Sequence, residues 1–209
     1  MKITPELAEI VGILIGDGYI YKKENKYQIG FVGSPKTDVE LFEHLKKLIF
    51  KEWKKEVKYK VRERGLRMVF RSKEAINILV NELQIPYRRI KGKTIKIPAE
   101  IAKNWKLAKQ TIRGIMDTDG SIFVSKKSGI EKYPAIEITT TSQELAIQLR
   151  QILLKQNFRI TNIRKSFSKT SKDPAYRVCL YGKQNIKKWL KEISFSNKYK
   201  EKRAKLYIQ

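Results

Sequence analysis

The chain has 209 residues, enough for one large core or two small ones, and carries 46 Lys and Arg against 21 Asp and Glu, a formal net charge of +25. Such an excess implies a polyanionic partner or a membrane surface. With no apolar run of about eighteen residues and no signal-peptide core, membrane spanning and export are not expected, and a protein of the cytoplasm or an organellar matrix that meets nucleic acid is expected.

A single Cys179 rules out an intramolecular disulfide and a cysteine-type zinc site, and a single His44 rules out histidine-rich metal chemistry. His44 falls in an apolar helical pattern and reads as structural.

In chain order, Thr4-Pro5 reads as an N-cap and first helical position. Leu7, Ile10, Val11 and Leu14 then recur at helical spacing, and Gly18 stands where a left-handed C-cap belongs. Tyr19–Tyr21 and Tyr27–Val32 read as a hairpin around a polar turn. Asp38–Phe50 has a helical apolar pattern, and Val57–Arg64 and Leu66–Phe70 read as strands turning at Gly65. Glu74–Leu83 reads as a short helix, which completes the order αββαββα. A basic connection from Ile85 through Pro98 and a short helical run lead to the second half. There the order repeats: strands at Ser121–Val124 and Ala135–Thr140, a helix at Gln143–Lys155, strands near Arg159–Ser166 and Ala175–Leu180, and a helix from Asn185. Leu41, Leu45, Leu48 and Ile49 are matched at a constant offset by Leu145, Leu149, Ile152 and Leu153. The C-terminal Asn197–Arg203 reads as basic surface. The expected architecture is α+β: two pseudo-symmetric αββαββα halves at 1–90 and 105–209, joined by a linker at 91–104.

The strongest repeat is Ile10-Val-Gly-Ile-Leu-Ile-Gly-Asp-Gly18, which returns as Ile112-Arg-Gly-Ile-Met-Asp-Thr-Asp-Gly120. Each copy closes a helix and puts an acid, Asp17 or Asp119, in its last turn, where the macrodipole disfavours a carboxylate by about 0.3–1 kcal/mol. Ala8, Gly12 and Gly16 share one helix face, and Gly114 and Thr118 repeat the last two positions. The two helices can therefore pack closely and in parallel, with both acids at one end. Two carboxylates at two negative helix ends repel unless a cation lies between them, and oxygen ligands without His or Cys suit Mg²⁺. This is a nuclease-like metal site.

These two copies resemble the motif of the LAGLIDADG homing endonucleases, in the form with two motifs on one chain. The resemblance implies paired motif helices between two α/β halves and antiparallel sheets that form a saddle over double-stranded DNA. It implies metal-dependent hydrolysis that gives a staggered double-strand cut at a long site, with Mg²⁺ as cofactor, Mn²⁺ able to substitute, and Ca²⁺ supporting binding without efficient cutting. Carried over, Asp17 and Asp119 are the catalytic, metal-binding acids, and Gly16 and Thr118 offer carbonyls. Lys73 and Lys183, at the ends of the last strands, are candidates for a catalytic lysine. The sixth letter of the motif departs from the first copy to the second, Ile15 becoming Asp117, which Arg113 one turn away could pair.

Alternation along the strands gives Tyr21, Lys23, Gln28, Arg62, Arg64 and Arg67 as outward residues of the first half, with Lys36 and Arg71 as further basic candidates. The second half offers Lys126, Lys132, Glu137, Arg164 and Lys169. A one-residue slip in register would reverse this set. The chain is expected to act as a monomer. The alternative is a non-cutting nucleic-acid binder on the same fold, such as an intron RNA maturase or a DNA-binding regulator.

Overall fold

The computed structural model describes residues 2–62, 65–87, 91–167 and 173–209, leaving aside the side chains of Lys91, Glu131 and Lys132. Helix α1 (Pro5–Asp17) starts as its sequence dictates: Pro5 occupies the first turn, and the Thr4 hydroxyl accepts the Leu7 N–H at 3.0 Å. Strands β1 (Gly18–Lys23) and β2 (Lys26–Gly33) follow, then α2 (Val39–Trp53), β3 (Tyr59–Arg62) and β4 (Gly65–Arg71). A short α3 (Lys73–Ile76) runs into a π-helical turn over Asn77–Glu82 where one regular helix was expected. The Leu83 N–H there reaches back to the Ile78 carbonyl, one residue further than an α-helix allows.

Two short helices, α4 (Lys91–Thr94) and α5 (Ala99–Ala102), lead to α6 (Trp105–Asp119), capped by the Asn104 side chain. The second half continues with β5 (Gly120–Lys127), β6 (Ile130–Thr140), α7 (Gln143–Lys155), β7 (Arg164–Ser166), β8 (Ala175–Tyr181), α8 (Lys183–Glu192) and α9 (Lys198–Ile208). Strand β7 is shorter than expected; upstream of it only Ile160 pairs, as a single bridge to Leu180. Helix α9 was not foreseen, because its lysine-rich pattern hides a weak apolar face. It forms because Asn197 accepts the Tyr199 and Lys200 N–H groups and Ala204 is buried.

Each half holds a four-stranded antiparallel sheet, ordered β1-β2-β4-β3 and β5-β6-β8-β7. Strand alternation puts Ile20, Ile29, Phe31, Leu66, Met68 and Phe70 on the core face of the first sheet, in one cluster with Leu41, Phe42, Leu45 and Ile49 of α2. The second sheet does the same with Ile122, Ile136, Ile138, Val178 and Leu180 against Leu145, Leu149 and Leu153 of α7. The opposite faces are free to carry polar side chains.

Helices α1 and α6 pack side by side and run the same way. Gly12 meets Thr111, Gly114 meets Ile13 and Glu9, and Gly16 meets Thr118, so the order of contacts rises along both chains. The approach is so close that a β-carbon on Gly12 would lie 2.1 Å from the Thr111 carbonyl oxygen. The Thr111 hydroxyl donates to the Ala8 carbonyl at 2.7 Å, so a buried polar group is satisfied within the interface.

The C-cap expectation is corrected. Gly18 and Gly120 are extended, with φ of −98° and −87°, and each is the first residue of a strand. Glycine is required there for space: a β-carbon would come within 2.9 Å of the Leu14 carbonyl oxygen at Gly18 and 2.4 Å of the Met116 carbonyl oxygen at Gly120.

Candidate catalytic and nucleic-acid-binding site

Because α1 and α6 are parallel, their last residues, Asp17 and Asp119, come to the same end of the molecule. Each opens into its own cleft. Asp17 shares one with Gly33, Ser34, Asp38, Arg62 and Arg67, and Asp119 shares the other with Gly16, Gly92, Ile95 and Thr139–Thr141. The clefts correspond by pseudo-symmetry, one at the end of β2 and one at the end of β6. Their chemistry differs: the first carries a second carboxylate and two guanidinium groups, the second threonines and the inter-half connection.

Beneath the acids lies a polar cluster that sequence reasoning did not anticipate. Lys200, near the start of α9, is half-buried and donates to the carbonyls of Met116 at 2.8 Å, Asp117 at 2.8 Å and Thr118 at 3.0 Å, so it caps the C-terminal end of α6. Burial lowers its pKa, and the charges of Asp117, Asp38, Asp17 and Asp119 oppose that loss. The only sequence signal for it was a lysine-rich tail, which marks no single position. Asn197 joins the halves by donating to Asp38 of the first at 2.9 Å and to the Asp117 carbonyl of the second at 3.4 Å.

The expected Arg113–Asp117 pair does not form. Arg113 turns to Glu9 of the other motif helix, at 3.2 Å through Nε and 2.5 Å through Nη2. Glu9 also holds His44 at 2.9 Å and the Ser196 hydroxyl, which gives His44 the structural place expected of it. Burial alone would raise the pKa of Glu9, but hydrogen bonds from His44 and Arg113 and their charges outweigh it and hold the value at about 2. Asp117 has one oxygen accepting the Ser196 N–H at 2.7 Å and the other without a hydrogen-bond partner. Its burial pushes the carboxyl up to about 7 against the pull of Ser196 and Lys200.

The lysines expected beside the acids lie elsewhere. Strand β4 starts next to Gly33, pairing Leu66 with it, and runs away from Asp17 until Arg71 pairs with Gln28. Lys73 therefore sits at the far end of the sheet, in a cleft with Lys22 and Tyr27. At about 3.3 Å per residue the separation from Asp17 is on the order of 15 Å. Strand β8 does the same in the second half, and Lys183 donates to the Gln209 carbonyl at 2.9 Å. An antiparallel return reverses which strand end is near the motif, and it is Arg62 and Arg67 that reach the cleft of Asp17.

The register fixes the outward face of the first sheet: Tyr21, Lys23, Gln28, Arg62, Arg67 and Arg71 share it, and Lys36 is exposed in the turn after β2. Tyr19 belongs to the same face. It lies over Gly30, where any side chain would strike its ring, and its hydroxyl accepts from Arg67 at 3.0 Å. In the second half Arg164 is on the open face and Lys126 is exposed at a β-bulge. Glu137 faces the same way, 3.6 Å from Arg177. Arg64, Lys169 and the Lys132 side chain lie outside the described residues.

As a metal centre the donor set is all oxygen. Among the described residues no group of three or more His, Cys, Asp or Glu converges on one point. An all-oxygen donor set suits Mg²⁺, which binds through one or two carboxylates and keeps water and phosphate oxygens for the rest. Asp17 and Asp119 would hold it. The Thr118 carbonyl, expected as a ligand, instead accepts from Lys200.

Known proteins share the fold. Residues 107–194 match the model of the LAGLIDADG-like domain. The fold matches that of the homing endonuclease I-WcaI bound to its DNA recognition sequence, with a TM-score of 0.63 at 15% identity over 100% of this chain and 88% of that one. It matches I-DmoI in complex with DNA and Mn at 0.62 and 15% identity, over 91% of this chain and 96% of the other. I-DmoI complexes with Mg and with Ca are also similar. Full-length DUF199/WhiA from Thermatoga maritima shares the fold as well, at 0.58 and 14% identity, over 100% of this chain and 63% of that one. The chain has the α+β fold of these homing endonucleases, and most of its second half matches the LAGLIDADG-like domain model.

In sequence the chain is 30% identical over 199 residues to the replication factor C small subunit of Methanocaldococcus jannaschii and 29% identical to that of Pyrococcus horikoshii. Each match takes in 95% of this chain but only 10% and 19%, respectively, of the longer proteins. Among the described residues no helix is long and apolar enough to cross a membrane.

Proposed function

We propose that the chain is a site-specific DNA endonuclease that makes a staggered double-strand cut by divalent-metal-dependent phosphodiester hydrolysis. The observation that carries this reading is the pair of acids at the joined ends of parallel helices, each in its own cleft at the edge of a basic sheet. A bound Mg²⁺ would polarise the scissile phosphate and lower the pKa of its bound water. The chain's own residues do the rest: Asp17 and Asp119 hold the site, Arg62 and Arg67 neutralise phosphate oxygens beside Asp17, and Lys200 fixes the last turn of α6 and thereby Asp119. Residues 1–90 and 105–209 each address one half of the duplex, with 91–104 as the link. One chain completes the helix pair, which supports a monomer.

The two relatives support a mobile segment. A match of the same 199 residues is a tenth of one replication factor C small subunit and about a fifth of the other, so two proteins of one name differ nearly twofold in length. Insertions that move as units produce that pattern, and an enzyme that cuts the insertion site would drive it.

A non-cutting binder is the second reading, favoured by the fold's occurrence in DUF199/WhiA, whose name carries no cutting activity, and by an ammonium group on the Thr118 carbonyl. The retained pair of acids argues against it, since a binder gains nothing from their repulsion. The deciding assay selects cleaved sites from a random duplex library with Mg²⁺ and then incubates a plasmid bearing the site with wild type, Asp17→Asn and Asp119→Asn. Wild type is expected to linearise the plasmid, and each variant to bind the site but fail to linearise it. Linearisation by both variants at the wild-type rate would remove the paired-acid site. Binding by wild type without cutting under any divalent metal would establish the binder.

A further inference from the structure

At the end of the second sheet remote from the acids is an open trough of about 1210 Å³. Its floor is apolar and aromatic, from Phe123, Leu154 and Phe158, and its rim carries Lys127, Arg164, Arg177 and Lys183. Across it the rings of Tyr133 and Tyr181 lie parallel, 8° apart with centroids at 5.9 Å. Lys127 Nζ sits 4.5 Å from the centroid of Tyr133, and the Arg164 guanidinium 5.5 Å from that of Tyr181. Gly182, at φ +90°, passes under Tyr133, where a β-carbon would be 3.3 Å from the ring.

In this column of cation, ring, ring and cation the outer face of Tyr181 is covered by the exposed Arg164 guanidinium, a contact weaker than base stacking, so a flat π-system that carries negative charge can displace the guanidinium and keep it as its counter-charge. Base edges of an intact duplex offer no free π-face, because each base is already covered by its neighbours. An unpaired nucleotide offers both a π-face and a phosphate, and the trough is larger than one nucleotide needs. Among the described residues the one carboxylate on its wall, Glu137, is already held by Arg177 and the Cys179 thiol, and the described rim is cationic. Alternation places Phe123, Tyr133, Tyr181 and Arg164 on the same sheet face as the candidate DNA surface, so a strand leaving the duplex there would reach them.

We infer that this trough binds an unpaired nucleotide of single-stranded DNA, with the base on the outer face of Tyr181 in place of Arg164 and the phosphate held by the displaced Arg164 and by Lys183. The inference rests on the reading of the open sheet face as the nucleic-acid surface, but not on the acids or on cutting.

The test compares, by fluorescence anisotropy, a labelled oligothymidylate with an abasic oligomer of the same length and charge. Wild type is expected to prefer the oligothymidylate by about tenfold, the scale of one base stacked on an aromatic side chain. Tyr181→Phe should keep that preference, and Tyr181→Leu should erase it in a variant whose circular-dichroism spectrum matches that of wild type. Equal binding of the two oligomers by wild type would overturn the inference, and this comparison needs no variant to fold. A preference that survives in folded Tyr181→Leu would overturn it too. Failure of the endonuclease reading shows separately, as a wild type that prefers the oligothymidylate yet never cuts the selected plasmid.

Discussion

Lys200 has its charge surrounded by three backbone carbonyls and the field of four carboxylates. In a wet setting an ammonium would be a weak partner for a helix end, but burial makes each of these hydrogen bonds count for more. Replacing it by Met removes a donor shared by three carbonyls of the last turn of α6, of which Met116 keeps the Gly120 N–H and Asp117 keeps Asn197. Lys200→Met is expected to lower the single-turnover cutting rate by at least about tenfold, because Asp119 loses its fixed position. Affinity for the selected duplex should change little, which gel shift in Ca²⁺ would check. Asp117 sets a second expectation. Its folded pKa of about 7 lies above the ordinary value of 3.8, so between those pH values the folded chain holds a proton that the unfolded chain has lost. Stability contributed by this group therefore falls as pH rises through that window, by a few kcal/mol in order of magnitude. Glu9 acts in the opposite sense: with its pKa held at about 2 against 4.5, its contribution is present above 4.5 and is lost as pH falls toward 2. Asp117→Asn should flatten the decline between pH 4 and 7 seen in denaturant midpoints, leaving the acid limb due to Glu9.

At the scale of elements, the glycines of the motif helices set how near the two halves come. Gly12 and Gly114 let backbone meet backbone, and no rotamer change can make room at Gly12, because the atom in the way is the Thr111 carbonyl oxygen. Gly12→Leu is expected to destabilise the fold by on the order of 3 kcal/mol or more, read from urea unfolding, whereas an exposed change such as Lys36→Ala should be nearly neutral. These helices were legible in the sequence because one pattern, apolar spacing interrupted by small residues, occurs twice. The α7 boundaries, Gln143–Lys155, were legible for a similar reason: Ser142 caps the helix and its apolar stripe is regular. What escaped notice depended on distant contacts. Lys73 and Lys183 could be placed only by knowing which end of β4 and β8 faces the acids, and the role of Lys200 only by knowing where α9 docks. The Gly18 and Gly120 conformations escaped because a sequence shows a glycine but not whether dihedral freedom or space demands it.

For the whole molecule, the net charge of +25 and the basic residues on the open faces of two sheets predict an electrostatic footprint far longer than the clefts. Association with duplex DNA is expected to weaken steeply with salt, with a log–log slope of about 0.9 per neutralised phosphate. A slope near zero in a filter-binding series would remove nucleic acid as the partner. The two ends of the footprint are not alike. The first sheet presents Arg62, Arg67 and Arg71 with Tyr19 and Tyr21, and the second presents stacked tyrosines and a carboxylate already spoken for.

The absence of any linker between each motif helix and its first strand has a mechanical consequence. Asp17 is the last residue of α1 and Gly18 the first of β1, and Asp119 and Gly120 repeat the junction. The acid and its strand thus form one stiff piece, with no loop to take up slack. Under the proposed function, the spacing between the severed bond and the bases touched by that hairpin would be a built-in ruler, set by strand rise. Changing the ruler would take an inserted residue at the junction, and that insertion would turn every following side chain of the strand to the other face.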